Sequence, residues 1–149
     1  MVDLDWHEVY EIGVDFIDEE HKQILSVMRS MSEAARADDH ELCQDLSREL
    51  IARVSSHFES EEQYLKKHRF PGLHDHRKYH GELMAQAEMV QQACESLEGD
   101  TSLLECFKRM EKFFLDDILV GDLQFRAFLR SKGVLRKKKK SGQPGNLRL

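Results

Sequence analysis

The sequence predicts an all-α protein, an up-down-up-down four-helix bundle preceded by an N-terminal arm. Apolar residues recur at helical spacing in four successive segments, and no segment shows the alternating pattern of a β-strand. The connections between these segments are short, and the clearest breaks contain proline or glycine. Four amphipathic helices joined by short connections pack antiparallel around one core, which is the bundle topology.

The first 16 residues have no sustained apolar period and contain Gly13. We therefore expect them to form an arm that lies over the domain rather than a helix of the bundle. Trp6 and Val9 are the apolar side chains best placed to anchor this arm.

The first two helices are predicted at residues 17–37 and 39–67. Asp18 is a candidate cap for the start of the first. The first apolar stripe consists of Ile17, His21, Ile24, Leu25, Met28 and Met31. The second consists of Leu42, Leu46, Leu50, Val54, His57, Glu61 and Tyr64. Polar residues therefore interrupt the core face of both helices.

The third helix is predicted to begin near Leu73, after the break at Pro71 and Gly72, and to end at Gly99. Its apolar stripe also contains histidines, and consists of His76, His80, Leu83, Ala87, Val90 and Leu97.

The fourth helix is predicted to extend to about Leu129. Ser102 and Glu105, three positions apart, resemble a capping box at its start. Its apolar side consists of Phe107, Met110, Phe114, Ile118, Leu123 and Phe125.

Charge is divided unevenly along the chain. The net charge is -6, yet no acidic residue follows Asp122, whereas nine of the 22 lysines and arginines do. Residues 1–122 therefore carry 13 basic against 28 acidic side chains. An acidic body repels nucleic acid, so no nucleic-acid partner is expected.

A chain of 149 residues, 40% of them hydrophobic, forms one domain with one core, predicted at residues 1–130. Residues 131–149 are predicted to be a basic, disordered tail, because they contain too few apolar residues to pack. A solvated tail is favoured over the alternative, a tail that binds an acidic partner or lipid.

We expect a cytoplasmic protein without a membrane span. No run approaches the roughly 20 apolar residues that cross a bilayer, and the acidic start lacks the features of a signal peptide. The three cysteines, Cys43, Cys94 and Cys106, are odd in number and widely spaced, which argues against a disulfide framework. Reduced thiols are therefore expected.

Six candidate metal ligands lie in the predicted helices: His21, His57, Glu61, His76, His80 and Asp122. Residues four apart share one face of a helix, so His57 with Glu61, or His76 with His80, can bind one metal or adjacent ones. Polar side chains in a dry core are costly unless they bind something together. A mixed imidazole and carboxylate shell suits iron, although manganese and zinc accept the same ligands.

Several sequence blocks resemble the signature of the bacterial hemerythrin family. They are Trp6, Ile12-Gly13-Val14, IDEEHK at 17–22, HFESEE at 57–62, Pro71-Gly72 and HRKYH at 76–80. The resemblance covers about residues 3–130. It implies a four-helix bundle holding two iron ions, a non-haem di-iron centre with an oxo or hydroxo bridge, that binds O2 reversibly and accepts small anions such as azide.

The resemblance also implies individual roles. It assigns two terminal ligands to each iron, His76 with His80 and His21 with His57. Glu61 and Asp122 correspond to the two bridging carboxylates. The remaining histidines match no ligand position and are expected at the surface: His7, His40, His68 and His74.

One position departs from the family pattern, which has a histidine five residues before the bridging aspartate. Here that position is Asp117, and no histidine follows His80. Asp116 is adjacent, but the spacing selects Asp117 as the substitute ligand. Five residues correspond to about 140° beyond one helical turn, so a local bulge is needed to direct Asp117 and Asp122 to one centre.

An anionic ligand at Asp117 changes the expected chemistry. It lowers the formal charge of a hydroxide-bridged diferrous core from +1 to zero, which favours the ferric state and autoxidation. Because aspartate is shorter than histidine, Asp117 coordinates directly only if its helix approaches; otherwise a water bridges the gap.

Three functions remain open at this level. The first is a di-iron protein that stores, delivers or senses O2. The second is an oxidising enzyme of the peroxidase or ferroxidase type, which a carboxylate-rich shell favours. The third is a helical interaction module with a decayed site, which the six retained ligand positions disfavour.

Overall fold

The computed structural model describes residues 4–96, 102–116 and 121–137. These residues contain a 3-10 helix, Glu8–Tyr10, and no strand. They also contain the α-helices α1 (Asp15–Arg36), α2 (His40–Lys67), α3 (Leu73–Ser96), α4 (Leu103–Asp116) and α5 (Leu123–Ser131). Helix α1 packs against α2 and α4, and α3 closes the ring by packing against α2 and α4. The prediction of an all-α four-helix bundle is confirmed.

The N-terminal arm lies over the bundle, as predicted, but only one of its two expected anchors packs there. Leu4 is buried, and Trp6 packs against the core with its ring edge-on to Tyr10, at 5.6 Å between centroids. Val9 is 70% exposed, so its prediction as an anchor is wrong. Val9 lies in the short 3-10 helix, whose three residues are too few to present one consistent apolar face.

Asp18 does not cap α1, which begins four residues earlier than that prediction requires. The residue before the helix is Val14, and it makes no side-chain cap. The buried Asp18 carboxylate instead accepts hydrogen bonds from the backbone N–H groups of Ile12, at 2.8 Å, and Gly13, at 3.1 Å. Asp18 therefore holds the arm against the first turn of α1.

The bounds of α2 and the start of α3 agree with the predicted breaks. Asp39 caps α2 by accepting a hydrogen bond from the Leu42 N–H at 3.1 Å. Between α2 and α3, Arg69 has a φ of 59° and the Phe70 ring lies over Gly72. A Cβ atom at Gly72 would lie 2.7 Å from that ring, so a larger residue there would force the Phe70 ring to move.

The predicted fourth helix is described in two parts, on either side of residues 117–120. Its start is as expected, because Ser102 Oγ accepts a hydrogen bond from the Glu105 N–H at 3.2 Å. Helix α4 is described to Asp116, and α5 begins at Leu123 after a turn at Asp122. Gly121, a poor helix former, has π-helical geometry just before this turn. The described residues therefore depart from α-helical geometry at Gly121 and Asp122, where the spacing of the candidate ligands called for a local bulge.

Two groups of buried side chains form the interior. The main core lies between α1, α2, α3 and α4 and includes Met28, Leu50 and Phe58. The arm core joins the arm, α1, α2 and α5 and consists of Ile12, Val14, Ile17, Leu65, Phe125 and Leu129. The histidines of α3 touch both, because Phe58 contacts His80 and Phe125 contacts His76.

Residues 132–137 return from α5 to the arm. The Arg136 N–H donates to the Gly13 carbonyl at 2.7 Å, and the Arg136 guanidinium contacts Asp15 and Asp18. Leu135 packs against Gly13, whose φ is 97°. The described part of the expected tail therefore packs on the domain, because Arg136 binds acidic residues of the arm and α1. Disorder of residues 138–149 stays a prediction, since they lie outside the described residues.

The expectation of reduced thiols is wrong for Cys106, which is disulfide-bonded. A disulfide depends on proximity in the fold, which sequence spacing does not reveal. Cys43 is a buried free cysteine, and burial together with the nearby Asp39 raises the pKa of its thiol. The side chain of Cys94 lies outside the described residues.

A helix that crosses a bilayer must be both long and apolar. None of the described helices combines the length and the apolar character needed.

Candidate metal centre

The six candidate ligands on described residues converge in two overlapping groups. One consists of His21, His57, Glu61 and Asp122, and the other of Glu61, His76, His80 and Asp122. Within each group the candidate donor atoms all lie within 4.8 Å of one another. Every member is at most 2% exposed. The two groups share both carboxylates and divide the histidines into two pairs.

Four elements position these side chains. On α2 and α3, the spacing of four residues places His57 above Glu61 and His76 above His80 on the faces that point into the bundle. His21 lies on the buried face of α1. Asp122 lies at the turn before α5, and its side chain is fully buried.

Glu61 presents one oxygen to each histidine pair. Its Oε1 lies 2.7 Å from His76 Nε2 and 3.2 Å from His80 Nε2. Its Oε2 lies 3.1 Å from His57 Nε2. This is the arrangement expected of a carboxylate that bridges two metal ions.

Asp122 repeats this arrangement from the opposite side. Its Oδ2 lies 2.8 Å from His21 Nε2 and 4.0 Å from His57 Nε2. Its Oδ1 faces His76 Nε2 at 3.8 Å. Both carboxylates therefore span the two histidine pairs.

Two further carboxylates contact the Nδ1 atoms of two of the histidines. Glu20 Oε1 lies 2.8 Å from His57 Nδ1, and Glu62 Oε2 lies 2.8 Å from His80 Nδ1. An ionised carboxylate only accepts hydrogen bonds, so each Nδ1 donates one, and each Nε2, which lies against Glu61 here, is the nitrogen that would bind a metal. Sequence reasoning missed both roles, although Glu20 and Glu62 stand directly beside predicted ligands.

Aromatic rings fix the histidines of α3. Phe58 stacks on His80 with 3.7 Å between ring centroids and 5° between the planes. Phe125 contacts His76 edge-on at 5.3 Å. These rings limit the rotation of both imidazoles and line the centre with apolar surface.

The electrostatics favour the protonation states that bind metal. Burial opposes ionisation of Glu61, but hydrogen bonds from three histidines outweigh it and hold the pKa of this carboxyl well below its usual value. Burial, reinforced by the neighbouring His57, lowers the pKa of His21 from 6.5 to about 3. A neutral imidazole and an ionised carboxylate are the ligand forms of these side chains.

The donor set fits a pair of first-row transition metal ions. Four imidazole nitrogens and two carboxylates suit iron, manganese or zinc and do not suit the all-oxygen preference of calcium and magnesium. The shared carboxylates suit two ions rather than one, as in carboxylate-bridged bundle proteins.

The other predicted positions lie away from this centre or outside the description. Asp117, the seventh predicted ligand, lies outside the described residues. Three histidines with no ligand role are exposed: His7, His40 and His74. His68 is partly buried, with its ring 4.4 Å from that of Tyr64.

Comparison with known proteins agrees with this site. Residues 12–123 match the family model described as the hemerythrin HHE cation binding domain. Because the match covers most of the chain, the chain belongs to the hemerythrin family.

Individual relatives carry the same family names. The chain is 27% identical over 79 residues to a myohemerythrin of Theromyzon tessulatum, covering 53% of this chain and 61% of the relative. It is 26% identical over 80 residues to a bacteriohemerythrin of Pseudomonas aeruginosa, covering 54% and 52%. A myohemerythrin of Riftia pachyptila is 30% identical over 85 residues, covering 57% and 66%. The matches thus span between about half and two thirds of these relatives.

Proposed function

We propose that the protein binds O2 at a non-haem di-iron centre and serves in O2 storage, delivery or sensing. The proposed ligands on described residues are His21, His57, Glu61, His76, His80 and Asp122. The observation that carries the proposal is the orientation of Glu61 and Asp122, each of which offers one oxygen to each histidine pair. Membership of the hemerythrin family supports iron as the metal.

Two iron ions, when bound, supply the two electrons that reversible O2 binding requires. The chain itself supplies two anionic carboxylates and neutral imidazoles, which offset much of the charge of two divalent ions inside a buried site. All six side chains are at most 2% exposed, and Phe58 and Phe125 cover the rings of α3. Exclusion of water by these walls favours reversible binding over oxidation of the centre.

Asp117 remains a proposed seventh ligand in the position where the family pattern has histidine. The turn at Asp122 and the π-helical geometry of Gly121 support a local bulge in this part of the chain. An anionic Asp117 favours the ferric state, so it also favours the second candidate function, an oxidising enzyme of the peroxidase or ferroxidase type.

The test is anaerobic loading of the protein with Fe(II), measurement of iron per chain, and optical spectra during cycles of O2 and argon. We expect two irons per chain and a visible band that appears with O2 and disappears under argon. Glu61→Gln should lose the paired metals because it removes a bridging charge, while Glu59→Gln, an exposed position on the same helix, serves as the control.

Three results would change the proposal. At most one tightly bound metal in the parent protein would contradict the dinuclear centre. Irreversible oxidation without any recoverable band would favour the oxidising enzyme. Equal metal content in Glu61→Gln and Glu59→Gln would remove Glu61 from the centre.

A further inference from the structure

We infer that Glu20 and Glu62 are positioning residues that tune the metal centre through His57 and His80, and that Glu20 has the larger effect. The inference rests on the proposed function, because it assigns a role toward the same metal ions. Neither residue belongs to the two groups of candidate ligands. Each carboxylate lies 2.8 Å from the Nδ1 atom of its histidine.

The two contacts share one architecture. Glu20 lies next to His21 on α1 and contacts His57 on α2. Glu62 lies next to Glu61 on α2 and contacts His80 on α3. Each carboxylate is therefore adjacent in sequence to one proposed ligand and hydrogen-bonded to a proposed ligand of the next helix.

Only one histidine of each pair receives this support. Among the residues that the structure describes, the Nδ1 atoms of His21 and His76 have no hydrogen-bond partner. A carboxylate on Nδ1–H raises the basicity of Nε2 and strengthens its bond to a metal. Each proposed metal position thus has one stronger donor, His57 or His80, and one weaker donor.

The two carboxylates differ in how far their charge is compensated. Glu62 also contacts a cation, because its Oε1 lies 3.3 Å from Arg77 Nε. In the described part of the chain, Glu20 has no basic partner and is 30% exposed on its side chain. An uncompensated carboxylate donates more electron density through its histidine, so we expect the larger effect at Glu20.

A merely structural role makes a different prediction. If Glu20 only satisfies a buried N–H group, the side-chain carbonyl of Gln can replace it, because an amide oxygen also accepts a hydrogen bond. If its charge tunes the centre, Glu20→Gln keeps the hydrogen bond but loses the effect. Charge and hydrogen bonding are therefore separable at this position.

The experiment compares Glu20→Gln and Glu62→Gln with Glu19→Gln, a control at an exposed position on α1. The first readout is Co(II) titration of the metal-free proteins, followed by the visible bands of the bound ion. The second is the reduction potential of the iron-loaded proteins, and the third is the melting temperature of the metal-free proteins. The cobalt readout requires neither iron nor O2, so it tests the positioning role even if the proposed function fails.

We expect Glu20→Gln to weaken Co(II) binding by about 10-fold or more and to alter the cobalt bands. Its iron potential should rise, since a less basic imidazole stabilises the ferric state less, and its metal-free melting temperature should stay near that of Glu19→Gln. Glu62→Gln should shift the same quantities in the same direction by less. Cobalt affinity and potential equal to those of Glu19→Gln would overturn the inference, as would a change confined to the melting temperature. A larger effect at Glu62 would overturn the ranking.

Discussion

The individual oxygen atoms of Glu61 and Asp122 are what favour two metal ions over one at the candidate centre. Their oxygens face different histidine pairs, so removal of one histidine leaves a buried carboxylate facing the gap. An unsatisfied buried charge is more costly than the hydrogen bond it has lost. Loss of any one ligand is therefore expected to destabilise the whole site, because the other ligands stay buried without their partner.

His57→Ala and His80→Ala should each lose metal and lower the melting temperature of the iron-loaded protein by several degrees. Both rings are at most 2% exposed and contact Glu61 through Nε2. His40→Ala is the matched control, because His40 is 51% exposed on its side chain. Iron analysis and thermal melts check the prediction. If full metal content and a melt within a degree or two of the parent were found, as is usual for surface changes, neither histidine would be a ligand.

The metal-free protein should lose stability as the pH falls. His21 has a folded pKa of about 3, lowered first by burial, whereas unfolded histidine has a pKa near 6.5. Between these values the unfolded chain binds a proton that the folded chain does not, so acidification favours unfolding. Glu61, whose pKa is also depressed despite its burial, adds to this loss at lower pH.

Thermal melts of the metal-free protein from about pH 7 to about pH 4 measure this dependence. His21→Gln removes the titrating group while keeping a polar side chain of similar reach, so its melting temperature should fall less steeply with pH. A parent protein whose stability is constant or rises on acidification would contradict the depressed pKa of His21.

The candidate metal ligands were predicted from the sequence, whereas the roles of Glu20 and Glu62 were not, for a physical reason. His57 with Glu61 and His76 with His80 are four residues apart, so helical geometry alone places each pair on one face. Glu20 and Glu62 act across helices, on residues 37 and 18 positions away. No local period encodes such contacts, which depend on how α1, α2 and α3 pack.

At the level of helices, the predicted breaks before α2 and α3 agree with the structure because local residues determine them. Asp39 caps α2 with its own side chain, and Gly72 leaves room for the Phe70 ring. The departure from α-helical geometry at Gly121 and Asp122 was indicated only by the five-residue spacing of Asp117 and Asp122, since the sequence there continues an apolar helical pattern and one glycine is tolerated within a helix.

Replacement of Asp117 tests the proposed seventh ligand. If Asp117 is an anionic ligand, Asp117→His should slow autoxidation and lengthen the life of the O2 adduct, because a neutral ligand restores the +1 core. If Asp117 is too short to coordinate, the parent should bind azide readily and Asp117→His should block it. Stopped-flow oxidation in air and azide titration of both proteins separate the cases. Identical autoxidation and identical azide affinity would show that Asp117 takes no part in the site.

At the scale of the whole molecule, the C-terminal part of the described chain returns to α1 beside the candidate metal centre. His21 and Asp122 meet within the centre at 2.8 Å, and Asp18, one turn earlier on α1, meets Arg136 at 3.1 Å. Both ends of the segment from Asp122 to Arg136, which includes α5, thus contact α1. The contact between Asp18 and Arg136 was not predicted from the sequence, because its partners are 118 residues apart and a basic run usually indicates a solvated tail.

These contacts change the expected effect of deleting the C-terminal residues. Taken as a solvated tail, residues 136–149 could be deleted without effect, but Arg136 binds the Gly13 carbonyl and the carboxylates of Asp15 and Asp18. Its side chain is 36% exposed, so solvent screens the ion pairs and we expect a loss of only about 1 kcal/mol, or roughly 2–4 °C in melting temperature.

Deletion of residues 137–149 should leave melting temperature and iron release to a chelator unchanged, whereas deletion of 136–149 should lower the melting temperature and accelerate iron release. Arg136→Gln in the full chain should reproduce the longer deletion. If both deletions matched the full chain in both measurements, the contacts of Arg136 would contribute nothing to holding α5 and Asp122 against α1.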